Sequence, residues 1–135
     1  MASTLTFGEV EVGTELPPLI VEITPTLIVA AAIATRDYQD VHHDRALAQE
    51  KGSKDIFMNI LTTNGFVGRF ITDWAGPEAL LRSVSIRLGV PNYPGDTMTM
   101  TGRIASKEDG VITVEVRGAN SLGDHVTGTV TLCLP

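Results

Sequence analysis

The chain has 135 residues, 43% hydrophobic and 19% charged, a composition that builds a packed core and excludes a disordered segment. Its net charge of −6 lacks the basic footprint of nucleic-acid binding, and the longest apolar run, residues 27–34, is too short to span a membrane. The one cysteine, Cys133, excludes an internal disulfide, and the N-terminal MASTLTFGEVEVG lacks the basic and apolar regions of a secretory leader, so one cytoplasmic domain over residues 1–135 is expected.

Residues 4–23 read as extended segments broken by Gly13 and Pro17-Pro18. Thr24-Pro25 then starts a helix, with a hydroxyl at the N-cap and a proline in the first turn, where its missing N–H is no loss. The helix TLIVAAAIATRDY is apolar on most sides, so it is expected to be well buried and to end near Asp37. Residues 38–43 form a polar loop. Asp44 caps a short second helix, RALAQEK, which Gly52 stops in the left-handed conformation. The next stretch is long and mostly apolar, with Ile56, Ile60, Thr63, Val67, Phe70 and Trp74 at helical spacing. It predicts a central helix over about residues 56–74, ended by Gly76-Pro77. Gly65 and Gly68 each weaken that helix by about 1 kcal/mol, which suggests close approach by a neighbour.

The remainder is β. Val84, Ile86 and Leu88 alternate, as do Met98, Met100 and Ile104, then Ile112, Val114 and Val116, then Val126, Val130, Leu132 and Leu134. These are antiparallel strands with one buried face. Asp109-Gly110 is a hairpin turn signal, and Pro91, Pro94 and Gly95-Asp96 mark a corner. Helices followed by a run of strands indicate the α+β class. A sheet of long strands needs an apolar filling on its concave side, and the 56–74 helix supplies it. That is the plan of a hot-dog fold, a curled sheet wrapped around a central helix.

The densest polar cluster is RDYQDVHHD at residues 36–44, directly before the central segment. Carboxylate beside imidazole is equipment for moving protons near neutral pH. On composition alone, Asp37 reads first as a residue that ends one helix and caps the next turn, and Asp44 as a helix cap. A metal site is not expected, because no second His or Cys pair stands at a ligand spacing. His125, beside Asp124, reads as a loop residue. Met58, Met98 and Met100 read as core or as the lining of an acyl pocket.

The cluster resembles the signature of MaoC-like (R)-enoyl-CoA hydratases: Asp-x-Asn-Pro-x-His-x-Asp, a short helix, a glycine, and His-Gly opening the central helix. Asp37 and His42 match its five-residue spacing, Asp44 follows, Gly52 matches the glycine, and RLGVPNYPGDTM resembles the family's strand and Gly-Asp corner. ATRDYQDVHHDRA, GSKDIFMNILT, TDWAGPEAL and NSLGDHVT resemble more specifically the small subunit of actinobacterial heteromeric steroid side-chain enoyl-CoA hydratases.

The resemblance implies hydration of a 2-enoyl-CoA, with a steroid side chain as the acyl group and no cofactor beyond the coenzyme A of the substrate. It implies Asp37 and His42 as the catalytic pair holding one water, with His43 a solvated neighbour. Backbone N–H groups at Asn59 and Ile60 would polarise the thioester carbonyl, while Asn59 is equally a helix cap. The family's Asn-Pro is Gln39-Asp40 here and its His-Gly is Asn59-Ile60, so Gln39 and Asp40 become candidates for a reshaped substrate pocket. Arg82 and Arg87, with Arg69 and Arg103 behind them, are candidates for the coenzyme A phosphates. The implied partner is a second MaoC-like subunit in a heterotetramer, with a homodimer as the alternative. Two competing activities stay open: a hot-dog thioesterase, and a non-catalytic subunit that completes a partner's pocket.

Overall fold

The computed structural model describes residues 2–135; Met1, part of the segment read for a leader, lies outside them. Strands β1 (Leu19–Glu22), β2 (Leu80–Leu88), β3 (Thr97–Glu108), β4 (Val111–Asn120) and β5 (Gly123–Cys133) form one antiparallel sheet in the order β1-β3-β4-β5-β2. Helices α1 (Pro25–Ala34), α2 (Arg45–Glu50) and α3 (Ile60–Ala75) all precede β2. The long hairpin between β3 and β4 turns at Asp109 and Gly110, both at positive φ. That geometry belongs to the two-residue turn the Asp-Gly pair signals.

The sheet and α3 share one core. Val67, Phe70 and Ile71 of α3 are buried with Met98, Met100 and Ile104 of β3, Val114 and Val116 of β4, and Val130 and Leu132 of β5. The expected alternation in β3, β4 and β5 is therefore present, and the sheet is the hot-dog sheet around its helix. Two glycines make room for it. A Cβ on Gly102 would press on the Phe70 ring, and one on Gly118 would press on the sulfurs of Met98 and Met100.

Four expectations need correction. The central helix starts at Ile60, not Ile56, because the extended Asn59 caps it and residues 56–59 lie outside any regular element; Ile56 and Met58 are buried all the same. Helix α1 ends at Ala34, not near Asp37, because Arg36 takes a positive φ of 56°. It is also less buried than its composition suggests: Ile28 and Ala32 face the core while Ile33 is exposed. Finally, β2 is largely exposed. Val84 and Leu88 stand opposite the buried Val130 and Val126, so they face the concave side, but β2 is the sheet's last strand, and while Leu81 and Ile86 pack against the core, Val84 and Leu88 stay exposed.

The two α3 glycines also differ from expectation. A Cβ on Gly68 would make only an ordinary contact with Leu81, and one on Gly65 would meet nothing within 4 Å. Gly65 instead borders an open apolar groove between α1 and α3, lined by Leu27, Ala31, Leu61 and Phe66.

Candidate active site

Three breaks in regular structure bring the polar residues together. The positive φ at Arg36 stops α1 and turns Asp37 back under it, with its N–H donating to the Ala32 carbonyl. A single 3-10 turn over Asp40–His42 then carries His42 inward until it is buried. The extended segment before α3 runs alongside and presents the Phe57 carbonyl to His42.

That carbonyl decides the histidine's tautomer. His42 Nδ1 lies 2.7 Å from the Phe57 oxygen. The oxygen only accepts, so Nδ1 carries a hydrogen and donates it. The Phe57 ring packs edge-on against the imidazole, with centroids 5.0 Å apart. His42 Nε2 is thereby aimed at Asp37, 3.4 Å from Oδ2.

Asp37 is held just as firmly. Asn59 Nδ2 donates to Oδ2 at 3.1 Å, and the Gln39 N–H donates to Oδ1 at 3.3 Å. The Asn59 bond is the largest cause that keeps the Asp37 carboxyl below its ordinary pKa; the Gln39 N–H and the His42 charge add to it, against a partial loss of solvent. Asp37 is therefore a carboxylate at neutral pH.

Asn59 serves two structures at once. Its Oδ1 accepts from the N–H and the hydroxyl of Thr62, at 3.0 and 2.5 Å, which caps α3. Its Nδ2 donates to Asp37 and to Thr35 Oγ1, the latter at 2.9 Å. The side chain is fully occupied, so it caps and positions, and it has no donor left for a thioester. The first-turn N–H groups of Ile60 and Leu61 have no acceptor among the described residues.

These residues line a cleft of about 330 Å³ with Met58 as well as Leu88 to Pro91 of the rim after β2. Of the residues singled out from sequence, the cleft gathers Asp37, His42, Gln39, Asn59 and Ile60. It does not gather Asp40, which is paired with Lys51 at 2.6 Å and held below its ordinary pKa chiefly by that bond. Arg87 and Arg82 lie outside the lining, and Arg82 is six residues along β2 from Leu88, about 20 Å at strand spacing. Arg69 pairs with Asp73, and Arg103 sits at the bridge to Glu15, away from the cleft. His43 is exposed, and Asp44 caps α2 through the Leu47 N–H. Among the described residues, no three His, Cys, Asp or Glu side chains cluster as metal ligands.

One lining residue was misread. His125 is not in a loop: it belongs to β5, is 3% exposed and borders the cleft. Gly118 pairs with Val126 while the next residue, Ala119, pairs with Asp124, so His125 is the extra residue of a β-bulge. Bulges re-aim side chains. Strict alternation with Val126 puts His125 on the outer face; the bulge turns it in. Burial holds its pKa below the ordinary histidine value, with the bond to the Val90 carbonyl opposing.

Comparisons with known proteins agree on the kind of protein that carries such a cleft. The family model described as the MaoC like domain matches residues 10–125. The chain is 58% identical over 123 residues to the 3-oxo-4,17-pregnadiene-20-carboxyl-CoA hydratase beta subunit of Mycobacterium tuberculosis, covering 91% of this chain and 95% of that one. It superposes on a chain of the ChsH1–ChsH2 complex from M. tuberculosis with a TM-score of 0.91 at 57% identity, over 93% of this chain and 98% of that one. The fold extends to the R-hydratase PhaJ1 of Pseudomonas aeruginosa, at a TM-score of 0.90 and 20% identity, over 98% of this chain and 86% of that one.

Proposed function

The chain belongs to the MaoC-like domain family, and on that premise we propose that its cleft adds water to the 2-enoyl-CoA thioester of a steroid side chain, of the 17(20)-unsaturated 22-oyl type, in side-chain β-oxidation. The observation that carries the chemistry is the Asp37–His42 pair: an ionised carboxylate 3.4 Å from an imidazole nitrogen whose ring is fixed by the Phe57 carbonyl. The relative's name, a hydratase of a pregnadiene carboxyl-CoA, supports the acyl group.

A water held between Asp37 Oδ2 and His42 Nε2 attacks the β-carbon and gives a proton to Asp37. The electron pair of the double bond moves toward the thioester oxygen. There the free N–H of Ile60, at the positive end of α3, stabilises the developing charge. The proton on Asp37 passes to His42 Nε2, and His42 delivers it to the α-carbon. Both residues end as they began, one water has been added, and no cofactor takes part.

A thioesterase reading needs a carboxylate placed on the central helix. Here α3 carries only Asp73, at its far end and paired with Arg69. The reading as a pocket-completing subunit is opposed by the intact pair. The partner we propose is a second MaoC-like subunit, the arrangement suggested by the ChsH1–ChsH2 relative. The concave face of β2, with Val84 and Leu88 exposed, supports a protein neighbour there. A cytoplasmic location is supported by the free thiol of Cys133; no helix among the described residues is long and apolar enough to cross a membrane.

The test is substitution of the pair. Asp37→Asn and His42→Ala should each lower kcat for hydration by about 10²–10⁴-fold, the range for general acid–base groups, with the far-UV circular dichroism unchanged. Wild-type turnover by either folded variant would end the assignment.

A further inference from the structure

His125 has no part in the proton transfers just described, yet it is the other buried histidine of the cleft. Its two nitrogens reach two different elements. Nδ1 lies 2.6 Å from the carbonyl of Val90, in the rim after β2. Nε2 lies 2.8 Å from Thr63 Oγ1, in the first turn of α3. The Val90 oxygen only accepts, so Nδ1 donates. No carboxylate lies within 4 Å of either ring nitrogen among the described residues; the neighbouring Asp124 pairs with Arg117 instead. A buried imidazole without a counter-charge is neutral. With its hydrogen on Nδ1, Nε2 is an acceptor, and the Thr63 hydroxyl must donate to it. That hydroxyl has one hydrogen, so its 3.4 Å approach to the Asn59 carbonyl is the lesser contact.

The backbone around His125 is built to the same end. The Gly89 N–H donates to the His125 carbonyl at 2.8 Å, and the Val90 N–H to the Asp124 carbonyl at 2.9 Å. A Cβ on Gly89 would overlap the Asp124 carbonyl oxygen. The rim is thus pressed directly onto the bulge, and the bulge aims the ring at Thr63. Thr63 stands one turn after Asn59, whose side chain holds Asp37 and whose neighbour Ile60 lines the cleft.

We propose that His125 is a positioning residue of the hydration site: as the neutral Nδ1–H tautomer it clamps the Leu88–Pro91 rim to the first turn of α3, and so sets the distance between the thioester carbonyl, the Ile60 N–H and the Asp37–His42 pair. This rests on the reading of the cleft as a hydratase site. It adds a second point of control over the first turn of α3, through Thr63, to the one Asn59 provides.

The experiment cuts the clamp from both sides, in whatever assembly supports hydration by the wild-type chain. Thr63→Val removes the hydroxyl at nearly constant volume. His125→Asn keeps a donor for Val90 and loses the reach to Thr63. Each should lower kcat by about 10-fold or more with KM changed less than about twofold, because small misplacement acts on the transition state. The double variant should lose no more than the worse single variant, and Thr63→Ser should restore most of the rate. Two-dimensional ¹⁵N–¹H spectra of the wild type should show His125 neutral, with hydrogen on Nδ1. A merely structural histidine moves melting temperature and yield, and leaves the rate per folded site and its KM as they are. An Nε2–H tautomer or an imidazolium at neutral pH would overturn the clamp, as would wild-type kcat in folded Thr63→Val. Absence of hydration by the wild type would instead end the reading of the cleft, and the positioning role with it; the tautomer spectrum separates the two failures.

Discussion

Asn59 joins the helix to the chemistry. A residue that only capped α3 would contribute about 1 kcal/mol. This one also supplies the main bond that keeps Asp37 ionised. Asn59→Ala therefore has two separable consequences. The cap is lost, and stability falls by about 1 kcal/mol, measured by urea unfolding. The folded-state pKa of Asp37 rises toward its ordinary value, so the acid limb of the kcat/KM profile moves to higher pH. The sign for stability follows from the same shift. A depressed carboxyl stabilises the fold above its unfolded pKa, and that contribution disappears as pH falls through the folded value; the variant has less of it to lose. Asp37 and His42 were legible as a pair through the resemblance to the MaoC-like signature, whose five-residue spacing they match, and they meet because both lie in one short loop where sequence distance limits spatial distance. The double use of Asn59 was only half legible: a cap is a local pattern, whereas its hold on Asp37 spans 22 residues of sequence. His125 was not legible at all. Its inward turn is a property of how β4 pairs with β5, and the alternation of its own strand points the other way.

At the scale of elements, backbone spacing accounts for what side-chain patterns left open. The helical periodicity continues back to Ile56, yet the helix starts at Ile60. A helical Phe57 carbonyl would point along the helix axis at the N–H four residues on, and not at His42. The Asn59 cap that starts α3 thus also leaves the Phe57 carbonyl free to orient the His42 imidazole. The face of β2 was legible as apolar, while its exposure was not, since burial depends on what covers an edge. Glycines give the sharpest test. A Cβ on Gly128 would overlap the Ser85 carbonyl, where β5 and β2 lie against each other. Gly128→Ala should lower stability by about 1–3 kcal/mol, as overpacking does. Gly65→Ala meets open space in the groove, and should raise the stability of the isolated chain by up to about 1 kcal/mol through helix propensity. Denaturant unfolding of the two variants side by side checks the contrast in sign.

Over the whole molecule, the open surfaces lie together. The cleft lining includes Ile60 and Leu88, both exposed, and next to it run the α1–α3 groove and the uncovered face of β2. A bulky acyl group and a partner subunit would both find apolar surface there. The chain's own arginines do not converge on the cleft, and its net charge of −6 opposes an anionic ligand, so the partner is the natural source of phosphate contacts. The class of fold was legible because α3 and the three inner strands have a strong apolar period. The second subunit was legible only through the resemblance, because an interface with another chain leaves no period of its own.

The central claim is that Asp37 and His42 add water across a carbon–carbon double bond and leave the thioester intact. The most direct measurement is mass spectrometry of the product formed from a steroid 2-enoyl-CoA in H₂¹⁸O, with and without a MaoC-like partner subunit. The expected product is a 3-hydroxyacyl-CoA heavier by one labelled water in at least one of the two conditions, formed about 10²–10⁴-fold more slowly by Asp37→Asn. Free coenzyme A with a labelled carboxylic acid, or unchanged substrate in both conditions, would contradict it.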